Sequence, residues 1–307
     1  LPETIPLDIL SLTFLASIDF ATGHPATSFL TSSYAFGSTG HTGQVRVRYI
    51  NQINYHLIMK RAILTYNQLI KYYKNEKAAL KATAKFKDIF PIYPDSILAG
   101  IIADLMGDGH IQGPPLFRMD YCSNSTDELN RFNEIIKLKY NVEGKIRKCS
   151  TNKYGTMNLG INNKALTRIF ILLDVPYGSK VNKPIIIPKW ILNNKKCFAK
   201  FINRLYSCEG TVDISNRSKS IDIKMHKNIK IINKGFEFFE TIKFYLYKHF
   251  KIISSNPFLA GTTLRKDGEI TAGVRIKIKR KNSIKKFKKY IGIEDKIKNK
   301  KLNLITE

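Results

Sequence analysis

The hydrophobic pattern of the chain passes through the same series of periods twice between residues 95 and 292. Each round opens with a short apolar helix that ends in an acid followed by glycine. Alternating, strand-like segments come next, and then longer amphipathic helices. In the first round Phe117, Met119 and Tyr121 alternate with Arg118 and Asp120, and Met157, Leu159 and Ile161 alternate with Asn158, Gly160 and Asn162. Ser125-x-x-Glu128 predicts a capping box that opens a helix near 126–140. A helix near 163–173 closes the round. In the second, Ile221, Ile223 and Met225 alternate with Asp222, Lys224 and His226, and a long helix is expected from about Ile229 to His249. Val274, Ile276 and Ile278 then alternate with Arg275, Lys277 and Lys279, before a helix near 283–290. A spacing of roughly one hundred residues marks a duplicated domain, since solenoid repeats are shorter.

The pattern divides the chain into five parts. Residues 1–44, rich in Ser, Thr, Ala and Gly, read as a leader, native or appended, with the alternative that Ile5–Phe20 docks as an apolar element. Residues 45–94 show helical spacing at Ile53, Leu57, Ile58, Arg61 and Leu64 to Ile70, followed by many lysines. They read as a basic helical extension, either touching nucleic acid or packed as a surface helix on the main domain. Residues 95–183 form the first repeat. Residues 184–200 form a linker, extended from Pro184 to Pro188, with Trp190 as a packing anchor. Residues 201–307 form the second repeat.

Charge narrows the function. The 307 residues contain 51 Lys+Arg and 24 Asp+Glu, a formal net charge of +27. All of the Lys and Arg lie in residues 45–307. With 43% hydrophobic residues the chain is not a disordered polycation, so the excess charge points to a polyanion as partner. The apolar run Ile9–Ile18 is too short to span a bilayer, and no positive n-region of a signal peptide precedes it. Cys122, Cys149, Cys197 and Cys208 have no C-x-x-C spacing, so a zinc ribbon or redox pair is not expected. The expected setting is intracellular, beside the host's DNA.

The two acid-bearing helices carry the candidate chemistry. In Ile97–Gly109 the small residues Ala99, Ala103 and Gly107 recur at helical spacing and predict a close helix–helix contact. Asp108 follows at the C-terminal end, where the macrodipole is negative. Gly109 is expected in the left-handed conformation that ends a helix. Something positive should offset the acid, and a hard divalent cation that also binds phosphate would do so. Phe201–Gly210 ends the same way, with Glu209 as the acid. Packed side by side, the helices would bring the two carboxylates together, an arrangement suited to metal-assisted phosphoryl displacement.

Leu98–Ile111 (LAGIIADLMGDGHI) and Phe201–Val212 (FINRLYSCEGTV) resemble the LAGLIDADG homing endonucleases in their single-chain, two-motif form. Leu173-Asp174-Val175-Pro176 with Gly178 and Lys180, the run Ile187–Leu192, and Lys281–Gly292 resemble supporting segments of archaeal and intein-associated members. The resemblance implies an α+β fold of two pseudo-symmetric αββαββα repeats, whose antiparallel sheets form a DNA-binding saddle. It implies Asp108 and Glu209 as metal-binding, catalytic acids for Mg²⁺, with Mn²⁺ as a substitute. The expected activity is site-specific double-strand cleavage of DNA by a monomer with internal pseudo-twofold symmetry. An intron RNA maturase and an inactive DNA-binding protein of the same fold are the alternatives. The resemblance also implies a lysine or glutamine near the metals; Lys277 and Lys279 both lie on the right segment, and the choice stays open.

The open sheet faces should carry the residues that meet DNA: Arg118, Asn158, Asn162, Lys224, His226, Arg275, Lys277 and Lys279. Arg and Lys suit guanine edges and Asn suits adenine in the major groove. Lys285, Lys286, Lys288 and Lys289 read as phosphate contacts. His110 is expected in an exposed turn, Asp104 at the surface or in a cap, and Cys208 in packing. Arg204 departs from the resemblance, standing where the first motif has Ala103. It is expected to shift or open the helix interface, through damage to the enzyme or by reaching a phosphate. No terminal protein-splicing residues are recognised, so splicing is not expected.

Overall fold

The structure, a computed structural model, describes residues 61–149, 155–215 and 218–307. The expectations for residues 1–44 and for the first part of the basic extension lie outside them. Arg61–Leu64, expected to be helical, is not. Leu64 pairs with Ile92 in an isolated antiparallel bridge, which ties the start of the extension to its end. Between them, α1 (Tyr66–Lys71) opens on a capping box between Thr65 and Gln68, and α2 (Glu76–Thr83) is capped by Asn75. The Arg168 guanidinium lies 4.1 Å from the Tyr73 ring and 3.6 Å from the Phe117 ring, so this part of the extension packs on the first repeat.

The first repeat runs α3 (Ser96–Met106), β1 (Gly109–Gln112), β2 (Arg118–Ser123), α4 (Thr126–Tyr140), β3 (Lys145–Lys148), β4 (Met157–Ile161) and α5 (Lys164–Leu172). The linker contains a short helix, α6 (Lys189–Asn193), whose half-buried Trp190 packs against the core. The second repeat runs α7 (Lys195–Glu209), β5 (Gly210–Ser215), β6 (Ser218–Asn228), α8 (Ile232–Phe250), β7 (Phe258–Leu264), β8 (Ile270–Ile278) and α9 (Lys281–Tyr290). A last helix, α10 (Lys296–Leu304), follows. Both repeats are therefore αββαββα, and the class is α+β. Their four-stranded antiparallel sheets have equivalent strand orders, β1-β2-β4-β3 and β5-β6-β8-β7. The repeats also share a helix ending: α4 and α8 stop at Asn141 (φ 50°) and Lys251 (φ 54°), each in the left-handed region.

The sheets obey the two-residue period. Ile221, Ile223, Val274, Ile276 and Ile278 are buried, while Lys224, His226, Arg275 and Lys277 between them are partly exposed on the other face. Asn162 and Lys279 lie one residue beyond the ends of β4 and β8, so they extend the open faces rather than belong to them.

At the centre α3 and α7 pack against each other. Nine of the residues of α3, from Leu98 to Met106, are buried, as expected of a helix that is apolar nearly all round. Each fully buried Leu or Ile there contributes about 1.5–3 kcal/mol. The two helices come close at Gly107, where a Cβ would lie 2.6 Å from the Cβ of Cys208. Gly100 meets the side chains of Lys200 and Arg204 in the same way, at 3.3 and 3.4 Å. Gly100, Asp104 and Gly107 therefore meet α7, and Gly107 belongs to the expected stripe of small residues.

Ser125 caps α4 by its backbone alone, with no side-chain bond. The expected capping box fails because Glu128 is engaged elsewhere. Its Oε2 accepts from Arg204 Nη2 at 2.6 Å and from Arg131 Nε at 3.0 Å.

Candidate metal and nucleic-acid site

Asp104 and Arg204 correct two expectations together. Neither is at the surface; each is 1% exposed. Arg204 Nε donates to Asp104 Oδ1 at 2.8 Å, and Nη1 reaches Glu294 at 3.2 Å. Arg131 Nη2 holds the other Asp104 oxygen at 2.8 Å. Arg204 therefore neither opens the interface nor reaches outward, because the acid that matches it stands on the facing helix. Burial raises the Glu128 carboxyl, but the pull of Arg131 and Arg204 outweighs it and holds the group below its ordinary value.

One turn further along, the helices deliver the two acids. Asp108 is solvent-exposed and Glu209 half-buried. The glycines after them serve one purpose in both repeats, and it is not the left-handed turn expected. Gly109 has no positive φ, and Gly210 is extended at φ −82°, ψ 159°. A Cβ on Gly109 would lie 2.5 Å from Leu105 Cα, and one on Gly210 would lie 2.5 Å from Tyr206 O. The strand after each acid doubles back across its own helix, and only glycine permits that approach.

The environment raises both carboxyls above their ordinary values. For Glu209, burial is the main cause and the charge of Asp108 the next. For Asp108, which meets solvent on one side, desolvation by the protein packed behind it outweighs a hydrogen bond from Cys208 and the charges of Lys180 and Lys298. Cys208 itself is a packing residue, its thiol pushed well up by burial and by Asp108 and Asp104.

Sequence reasoning missed the cations that answer the helix dipoles. Lys180 Nζ donates to Met106 O at 3.0 Å and to Gly107 O, at the C-terminus of α3. Lys298 Nζ donates to Ser207 O at 2.5 Å and Cys208 O at 3.1 Å, at the C-terminus of α7. Each helix end thus carries a lysine as well as an acid. The signal was the unanswered dipole itself, but the lysines lie 74 and 91 residues from the carbonyls they meet. Among the described residues Lys224 on β6 also acts on Glu209. Lys277 stands opposite Asp222 in the ladder.

Two arginines of the open faces are tied to acids. Arg118 Nη2 lies 2.7 Å from Asp120, and Arg275 Nη1 lies 3.2 Å from Asp222. Asp120 and Asp222 hold equivalent positions on β2 and β6, opposite His110 and Thr211. His110 is therefore a half-buried strand residue rather than a turn residue, with its pKa lowered by burial.

Among the described residues no group of three or more His, Cys, Asp or Glu side chains could by itself hold a metal ion. The donor set is two hard carboxylates. That suits Mg²⁺, which binds through one or two carboxylates while phosphate and water complete its shell. The raised pKa values fit too, since a cation would relieve the repulsion felt by Glu209. No described helix is long and apolar enough to cross a membrane.

No family model matches the chain. It is 28% identical over 217 residues to the glutamine–fructose-6-phosphate aminotransferase (isomerizing) of Methanocaldococcus jannaschii. The match covers 70% of this chain but spans only 18% of that protein. Similar solved structures include the homing endonuclease I-WcaI bound to its DNA recognition sequence (TM-score 0.43, 15% identity, 67% of this chain and 86% of that one). Another is I-DmoI Q42AK120M with its nicked target DNA and Mn (TM-score 0.42, 16% identity, 64% and 94%). A third is full-length DUF199/WhiA from Thermatoga maritima (TM-score 0.42, 11% identity, 68% and 59%).

Proposed function

We propose that this chain is a site-specific DNA endonuclease that hydrolyses phosphodiester bonds with divalent metal held by Asp108 and Glu209. The observation that carries the proposal is the placing of two carboxylates at equivalent ends of the paired central helices, near enough for the charge of Asp108 to raise Glu209. Mg²⁺, or Mn²⁺ in its place, would supply charge neutralisation at the phosphate and a more acidic bound water. Lys180 and Lys298 fix the last carbonyls of the two helices, and so hold the turns from which the acids project. Their charges also favour the ionised carboxylates that a metal requires, and they lie where phosphate charge would build up.

The sheets supply the DNA contacts. Arg118, Asn158, Lys224, His226, Arg275 and Lys277 lie on the open faces, with Asn162 and Lys279 at their margins. Asp120 and Asp222 hold two of the arginines in fixed poses, which favours reading base edges over trailing along phosphates. Lys285, Lys286, Lys288 and Lys289 of α9 are assigned to phosphates. Neutralising about six phosphates makes affinity fall about a thousandfold between about 50 and about 200 mM salt. A filter-binding series across that range checks this, and a nearly flat response would contradict the basic saddle.

Cleavage decides the proposal. Purified protein with Mg²⁺ is expected to make a staggered double-strand break in duplex DNA carrying its own uninterrupted insertion site. Binding that duplex without cutting it in Mg²⁺ or Mn²⁺ would leave an inactive DNA-binding protein. Preference for the intron RNA over the duplex would make it a maturase.

A further inference from the structure

On the core-facing side of β6, beyond Ile221, Ile223 and Met225, stands Lys227, which is 1% exposed. Its stem packs at the start of α8, where a Cβ on Gly235 would lie 3.1 Å from Lys227 Cγ. Its amino group donates to Lys183 O at 2.8 Å and to Lys180 O. Asn228, the next residue, donates from Nδ2 to Asn182 Oδ1 at 3.2 Å. All three acceptors belong to one segment, the 3-10 turn Lys180–Asn182 and the residue after it. This turn presents Lys180 to the carbonyls of Met106 and Gly107, beside Asp108.

The second repeat solves the same problem differently. There Ser207, on α7 itself, accepts from the backbone N–H groups of Glu294 and Asp295 at 3.0 and 3.3 Å. Asp295 then caps α10, the helix that carries Lys298. One lysine turn is held by its own central helix. The other is held from across the molecule, by the strand whose opposite face carries Lys224 and His226.

Such an arrangement is costly as mere packing. A buried ammonium that meets only backbone carbonyls keeps much of its desolvation penalty. Burial, with the charge of Lys180, lowers Lys227 to about 8. Methionine would fill the same space without that cost. What methionine could not do is fix the two carbonyls.

We propose that Lys227 is a positioning residue for Lys180, linking the groove-facing strand β6 of the second repeat to the charge beside Asp108 in the first. The kinetic consequence rests on the endonuclease reading; the clamp does not.

The test compares full-length wild type with Lys227→Met and Lys227→Arg. In Lys227→Met the saturated, single-turnover cleavage rate in Mg²⁺ is expected to fall about tenfold, while affinity for the same duplex in Ca²⁺ stays within about threefold. Lys227→Arg, which keeps the donors, should recover part of the rate. Hydrogen exchange of the Asn182 amide, which donates to Ser179 O at 3.1 Å, should quicken in Lys227→Met without global loss of protection. Unchanged exchange overturns the clamp. Faster exchange with wild-type cleavage overturns the positioning role. A wild type that never cuts sinks the endonuclease reading and the kinetic half with it, while the exchange result still decides the clamp.

Discussion

Replacing Arg204 with methionine is expected to destabilise the protein by about 3 kcal/mol, because it strips a partner from Asp104, which stays buried. For a chain of this size that is a fall in Tm of roughly 5 °C. The effect is large because Arg204 has three partners, Asp104, Glu128 and Glu294, and sits between the two helices that join the repeats. Methionine keeps most of the stem's packing, so the loss reports the charge. Arg131 still holds one oxygen of Asp104, which keeps the cost below that of a wholly unpaired buried carboxylate. The double variant Asp104→Leu with Arg204→Met removes the pair together and should be more stable than Arg204→Met alone. Urea denaturation of the four proteins of this cycle measures the coupling. A single variant within about 0.5 kcal/mol of wild type would show the pair to be idle.

The second large effect is on chemistry. Asp108→Asn is expected to lower the cleavage rate by at least about a hundredfold. The amide keeps the shape of the side chain and loses the anionic oxygen that a hard cation needs. Duplex binding should persist, and even tighten, since a negative charge beside the phosphates is removed. Glu209→Gln should behave alike, because the two acids stand at equivalent helix ends under equivalent lysines. Parallel cleavage and binding titrations separate the two outcomes. Joint loss of binding and cleavage would mean that Asp108 is a structural residue.

Much of this was legible in the chain. The two-residue period of Ile221–Met225 and Val274–Ile278 gave the buried faces of β6 and β8, since alternation follows directly from strand geometry. The acid-then-glycine endings gave the central helices. The reading failed where a side chain's partner lies far away in sequence. Ser125-x-x-Glu128 has the spacing of a capping box, yet the tertiary pull of Arg204 and Arg131 takes Glu128 away. Arg204 looked like a fault in a small-residue stripe, because Asp104, one hundred residues earlier, could be placed on the facing surface only once the helix rotation was known. Gly109 was read as a left-handed cap, and it and Gly210 are not. The clash a Cβ would make with Leu105 or Tyr206 depends on how the strand leaves the helix, which no local pattern encodes. Lys180 stood out only as part of a motif run and Lys298 not at all, because the role of each depends on where the turn carrying it folds back.

The central claim is that Asp108 and Glu209 together hold a divalent cation against DNA. Titrating Mn²⁺ into the protein–DNA complex and following the unbound ion by electron paramagnetic resonance tests it most directly. Wild type should take up Mn²⁺ that the Asp108→Asn, Glu209→Gln double variant does not, with both proteins bound to the same duplex. Equal uptake by the two complexes would contradict the account.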